Sequence, residues 1–129
     1  MDEIERELLS LNQQLLDSIA RADWQKYAEL CDPTLTCFEP EAMGQLVEGM
    51  EFHRFYFQLP AAKTPFNTTM ASPHVRILDD TAILSYVRVN QRLQADGTPV
   101  TRLVEETRVW QRIGGKWKHI HFHRSAPSK

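Results

Sequence analysis

Apolar residues recur at spacings of three and four through residues 3–21. Ile4, Leu8, Leu11, Leu15 and Ile19 fall on one stripe, the period of an amphipathic helix. Leu9 and Leu16 widen the stripe, and Gln13 lies on their side of it. Asp23 is placed to cap a second, shorter helix that carries Trp24, Tyr27 and Leu30. Asp32-Pro33 predicts its end, because proline disfavours helical geometry in the residue before it. A short strand, LTCFEP, and a third helix around GMEFHRFYF complete this half of the chain.

From residue 66 onward the period shortens to two. Segments 67–78, 81–94, 100–113 and 116–124 read as strands, separated by Asp79-Asp80, Asp96-Gly97 and Gly114-Gly115. Asp-Gly and Gly-Gly between β-branched and aromatic runs are hairpin signals. Helices first and an antiparallel meander second predict an α+β fold, with the long N-terminal helix packed on one face of a curved sheet. No repeat, low-complexity stretch or linker interrupts the pattern, so residues 1–129 read as one domain.

Successive strand side chains point to opposite faces, which allows each face to be read separately. Segment 81–94 puts Leu84, Tyr86 and Arg88 on one side and Ile83, Val87, Val89 and Leu93 on the other. Segment 100–113 likewise divides Val104 and Trp110 from Leu103, Val109 and Ile113. Both faces are substantially apolar, whereas a sheet with one wet face alternates cleanly. One helix layer covers one face. The other reads either as ordinary β-propensity or as a subunit interface built on Val87, Val89, Leu93, Leu103 and Val109.

In segment 116–124 the odd residues Trp117, His119, His121 and His123 are more polar than the even ones. The even side is therefore the expected core side, provided no bulge shifts the register. Arg88, Arg108 and Arg124 all fall at even positions, so three guanidiniums are expected inside the sheet's concavity. Burying them without partners is very unfavourable, since they cannot shed their charge. Two readings follow: an ion-pair network, for which Glu106 has the right parity, or a pocket for a small carboxylate or phosphate.

Composition narrows the partners. The chain is 42% hydrophobic and 25% charged, with a formal net charge of −2. That balance gives no electrostatic attraction to nucleic acid or to an anionic membrane. No apolar run approaches membrane-span length and no signal peptide opens the chain, so a cytoplasmic location is expected. Cys31 and Cys37 then read as a reduced pair rather than a disulfide. Three histidines in line on one strand would need about 13 Å of strand to bend around one ion, so no metal or other cofactor is expected. They read instead as outward-facing groups making cross-strand or interface contacts. For an enzyme, Tyr27, His53 and Tyr86 are the acid–base candidates, without specific spacing.

Three longer stretches are informative: CDPTLTCFEPEAMGQLVEGMEFHRFYF, SPHVRILDDTAILSYVRVNQ and EETRVWQRIGGKWKHIHFHRS. They resemble the association, or hub, domain of calcium/calmodulin-dependent protein kinase II, over nearly the whole chain. FEPEA, VEGMEFHRFYF, EETRVW and HFHRS are the most specific pieces. The resemblance implies a cystatin-like, NTF2-like cone that is itself not catalytic. It also implies self-assembly into stacked rings that tether kinase subunits, so that neighbours meet at high effective concentration. The full-length proteins of that family are Ser/Thr kinases that bind calmodulin.

The resemblance further implies a pocket at Arg88 in YVRVNQ, Arg108 in EETRVW and Arg124 in HFHRS. Tyr27 in WQKYAELCDP and His53 in EFHRFYF match other pocket positions. Small carboxylates such as γ-hydroxybutyrate are ligands of the family's neuronal form. Gln13 stands where that form places a pocket glutamate, and QLPAAKTPFNT is shorter than the family's loop. The chain reads as an excised domain or as a free-standing hub-like homologue. The alternative is an NTF2-like enzyme of the isomerase or dehydratase kind.

Overall fold

The computed structural model describes residues 2–126; Met1 and residues 127–129 lie outside that range. Helix α1 (Glu3–Ala20) begins where the Asp2 carboxylate accepts from the Glu5 amide at 2.8 Å. Glu3 and Glu5 in its first turn suit the positive end of the helix dipole. Leu8, Leu15 and Leu16 are buried, while Ile4 at the start of the stripe remains exposed. Helix α2 (Trp24–Leu30) is capped by Asp23, whose side chain accepts from the Lys26 amide.

Helix α2 ends at Leu30, ahead of Asp32-Pro33, as expected. The chain turns extended at Cys31, and strand β1 (Cys31–Phe38) runs through the proline. It is tolerated because the pairing register of β1 breaks between Cys31 and Thr36, so no ladder bond is asked of the missing N–H. A single 3-10 turn, Pro40–Ala42, leads to the two-residue strand β2 (Val47–Glu48) and helix α3 (Glu51–Phe57).

Four long strands follow: β3 (Phe66–Leu78), β4 (Thr81–Leu93), β5 (Pro99–Ile113) and β6 (Lys116–Arg124). They form the antiparallel meander that the alternation predicts. Gly114 and Gly115, both at positive φ, close the β5–β6 hairpin in the left-handed geometry that such turns require. The sheet order is β2-β1-β6-β5-β4-β3. One seam departs from the expected antiparallel sheet: β1 lies parallel to β6. The first strand thus returns beside the last, and the sheet is mixed.

Two irregularities bend the sheet. In β3 the register slips between Ala71 and His74, where Ser72 takes φ 50°. In β6, Val109 pairs with His121 while its neighbour Trp110 pairs with His119, which leaves Ile120 as an extra residue. Bulges increase local twist and curl a strand. The concave face so produced holds the core, in which Leu15, Leu35, Leu84 and Trp110 are fully buried. Each such leucine contributes roughly 1.5–3 kcal/mol relative to exposure. Helix α1 lies against β3 and α2 against β1 and β6, all on the concave side.

Candidate anion-binding cavity

β4 and β5 pair without a register break from Thr81↔Gln111 to Leu93↔Pro99. Alternation therefore holds along both strands, and Tyr86, Arg88, Glu106 and Arg108 share the concave face. The Glu106 carboxylate lies 3.3 Å from Arg88 Nη1 and 3.1 Å from Arg108 Nη2. Tyr86 donates its hydroxyl hydrogen to Glu106 at 2.6 Å and accepts from Asn12 Nδ2 and Arg108 Nε, each at 3.0 Å. Asn12 in turn accepts from the Trp110 indole at 3.0 Å, and Arg88 Nε donates to Thr68 Oγ1. The network is closed on all sides, as a buried polar cluster must be.

Electrostatics in this cluster follow from burial and pairing together. Burial by itself would raise the Glu106 pKa, but Arg108 and Arg88 outweigh it and hold the carboxyl below its usual range. Burial disfavours the Arg108 charge, and Glu106 more than restores it. Burial also pushes the Tyr86 hydroxyl up to about 12. Glu106 thus pairs with two guanidiniums at once, and the trio keeps one net positive charge.

The bulge at Ile120 sets what β6 contributes. Before it, the odd residues Trp117 and His119 face the core; after it, the even residues Phe122 and Arg124 do. His119 is 0% exposed, contrary to the expectation that all three strand histidines turn outward. Its Nε2 lies 3.3 Å from Arg108 Nη1 and its Nδ1 lies 3.4 Å from Cys31 Sγ. A guanidinium can only donate, so Nε2 accepts and Nδ1 carries the hydrogen. Burial and then the Arg108 charge hold the His119 pKa well below the ordinary value. His121 and His123 stay on the convex side, where His121 Nδ1 meets Thr36 Oγ1 at 2.7 Å.

Above this floor opens a cavity of about 390 Å³. Its wall includes Tyr27, His53, Arg88, Arg108 and Arg124, brought together from α2, α3, β4, β5 and β6. The Gln13 amide donates to Asp17 Oδ1 and to the Thr68 carbonyl of β3. Gln13 is not among the residues that line the cavity. Arg108 is 1% exposed, all three of its nitrogens are engaged, and its guanidinium stacks 4.4 Å over Phe122. It shapes the floor and its potential rather than presenting a free donor.

Four further charged residues line it: Glu39 and Glu41, at the start of and within the 3-10 turn, and Arg92 and Arg102, which share the parity of Arg88 and Arg108 at the strand ends. Arg124 pairs with Glu39 at 3.4 Å and also with Glu41. Glu39 Oε1 lies 3.7 Å from His53 Nδ1. Burial, opposed by Arg124, raises the Glu39 pKa, and burial pushes His53 down to about 4. Cys37, Glu39 and His53 bring ligand-type atoms within 4.8 Å of one another, a trio whose spacing in sequence carries no metal signature. Five arginines line the cavity against the carboxylates of Glu39, Glu41 and buried Glu106. Its balance favours anions over cations.

On the convex face, Val87, Val89 and Leu93 of β4 alternate with the buried set, and Leu103 and Val109 of β5 stand beside them. Val89 and Leu103 are direct cross-strand partners, and Leu103 is 44% exposed. None of these residues joins the core cluster. No helix among the described residues is long and apolar enough to cross a membrane.

Comparison with known proteins gives a consistent result. Residues 4–128 match the family model of the calcium/calmodulin dependent protein kinase II association domain. The calcium/calmodulin-dependent protein kinase type II subunit delta of Oryctolagus cuniculus is 46% identical over 123 residues, 93% of this chain and 23% of that protein. The chain thus spans under a quarter of that relative's length. The hub homology domain of Chlamydomonas reinhardtii superposes with a TM-score of 0.90 at 50% identity, covering 95% of this chain and 98% of that one. The association domain of the C. elegans kinase gives 0.91 at 44% identity, covering 95% of each. An NTF2-like protein of Salmonella enterica, at 21% identity and a TM-score of 0.76, shares the fold and covers 98% of this chain and 92% of its own.

Proposed function

Because the chain belongs to the calcium/calmodulin-dependent protein kinase II association-domain family, we propose that it is a non-catalytic oligomerisation module of the cytoplasm. Copies meet through the convex face of β4 and β5 and build stacked rings. Within a longer protein of the family, such a module would hold kinase domains at high effective concentration. The observation that carries this reading is the Val89–Leu103 pair: apolar, opposite one another in register, and outside the core. An apolar patch on a sheet face is stabilised by covering it, and a second copy presents the same patch.

The cavity is the module's second property. Its excess of guanidinium over carboxylate supports binding of a small carboxylate, with Arg124 as the most exposed of the three inner forks. The enzyme reading has less support. Burial lifts the Tyr27 hydroxyl well above its ordinary pKa, and a His53 pKa of about 4 makes that ring a weak base near neutrality.

Light scattering coupled to size exclusion tests the assembly. A mass many times the 15.0 kDa of one chain supports it. A 15.0 kDa species that persists at high concentration removes it.

A further inference from the structure

The segment between β1 and β2 is attached to the body of the protein in an unusual way. Val47 and Cys37 anchor its two ends in the core, whereas Met43 is 86% exposed and Leu46 is 46% exposed. Its backbone closes on itself: Ala42 donates to the Glu39 carbonyl, Met43 to the Pro40 carbonyl and Gln45 to the Ala42 carbonyl. Met43 takes the left-handed conformation with φ 56°, which an unbranched side chain tolerates at some cost. The segment's polar attachment to the cavity is two carboxylates, Glu39 and Glu41, both paired with Arg124.

Those carboxylates differ. Glu39 is enclosed, its side chain 7% exposed, and lies between His53 and Arg124. Glu41 is at the mouth, its side chain 33% exposed, and it lines the cavity opposite the arginines. Its carboxylate pairs with Arg124. An entering carboxylate needs a guanidinium fork. Arg108 is saturated, and Arg88 already donates to Thr68 and Glu106. Arg92 and Arg102 line the cavity from the exposed strand ends; of the three inner forks, Arg124 is the most exposed, and it is the one that Glu41 holds.

We infer that Glu41 is a tethered competitor: its carboxylate occupies the Arg124 fork that a small carboxylate ligand takes, and ligand entry displaces Glu41 and frees the segment 41–46. This deepens the anion-pocket reading and rests on it. The ligand class is a short monocarboxylate, since what it replaces is one carboxylate head group on one guanidinium. Binding is thereby linked to the state of an exposed strap carrying Met43 and Leu46, because a ligand can shift only an equilibrium between states it binds differently. Glu39, enclosed and shared with His53, stays in place when Glu41 leaves.

The experiment uses sodium butyrate as the probe, with sodium chloride as the ionic-strength control. Affinity is measured by isothermal titration calorimetry for the native chain and for Glu41→Ala, Arg124→Ala and Glu48→Gln. Glu48 is an exposed carboxylate on β2, away from the cavity, and controls for net charge. Glu41→Ala is expected to bind about fivefold tighter or better, the scale of exchanging one partly exposed ion pair for another. Glu48→Gln is expected to match the native chain and Arg124→Ala to lose binding. Native-like affinity in Glu41→Ala, with loss in Arg124→Ala, overturns the competitor while the pocket stands. No binding by either the native chain or Glu41→Ala overturns both. As a second readout, butyrate should speed hydrogen exchange at the Met43 and Gln45 amides of the native chain, which donate to Pro40 and Ala42; unchanged exchange overturns the release.

Discussion

Tyr86 and Glu106 stand directly opposite one another on β4 and β5, and the tyrosine donates its hydroxyl hydrogen to the carboxylate at 2.6 Å. The same hydroxyl accepts from Asn12 and Arg108, so one oxygen joins α1 to the two guanidiniums beneath the cavity. Removing it by Tyr86→Phe leaves three groups short of a partner. The expected loss is about 1–3 kcal/mol of folding stability, the usual penalty of an unsatisfied buried group. Glu106→Gln removes the charge between two buried arginines and is expected to lose more, about 3–5 kcal/mol. Denaturant midpoints of the two variants give the ranking; equal losses would discard the idea that charge dominates at this site.

Acid sensitivity follows from the two buried histidines. His53 has its pKa pushed down to about 4 by burial, and His119 lies well below its ordinary value for the same reason first. In the unfolded chain both titrate near 6.5. Between about pH 6.5 and pH 4 the unfolded chain therefore binds more protons, and stability falls as pH falls, by up to about 1.4 kcal/mol per pH unit for each group. Glu39 works in the opposite sense, since its raised pKa lets acid relieve a buried charge. The check is a series of denaturation curves from pH 4 to 8. His53→Gln should flatten the slope below pH 6.5, and an unchanged slope would contradict the assignment.

Assembly through the convex face predicts that Val89→Asp and Leu103→Asp each lower the solution mass, because either places an unpaired carboxylate in an apolar seam. Folding should survive, since neither residue belongs to the core cluster. Far-ultraviolet circular dichroism confirms folding, and light scattering reads the mass. Intact assemblies in both variants would move the contact to another surface.

Both cysteines are buried and unpaired with each other, and burial pushes each thiol up to about 12. Thiolate, not thiol, is the nucleophile. Iodoacetamide at pH 8 should therefore leave Cys31 and Cys37 unmodified in the folded protein and label both after denaturation. Rapid labelling of Cys37 without denaturant would mean that the Cys37–His53 contact, 3.8 Å long, opens in solution.

What could be read from the sequence divides along physical lines. Arg88 and Arg108 were legible because β4 and β5 keep one register throughout, so period-two counting holds. His119 was not, because counting cannot see the extra residue at Ile120. The β1–β6 seam was equally hidden: Cys31 and His119 meet across 88 positions, and no local pattern encodes such a pairing. Gln13 shares the apolar stripe's side of α1, yet its amide goes to the Thr68 carbonyl of β3, a choice that depends on where the helix docks. Glu39 caps a 3-10 turn and Glu41 lies within it, where neither α-helical nor strand periodicity assigns a face.

The extra residue at Ile120 has a larger effect than its size suggests. His119 and Arg124 are an odd number of positions apart, so on an unbroken strand one would be banished to the opposite surface. With the half-step inserted, a single ribbon supplies an imidazole to the bottom of the hollow and a cation to its lip. In a version of the chain shortened by that one amino acid the two would stand four positions apart, an even spacing that an unbroken strand keeps on one surface, so the half-step offsets the residue that creates it. The receptacle depends on a parity, which no inventory of side chains records.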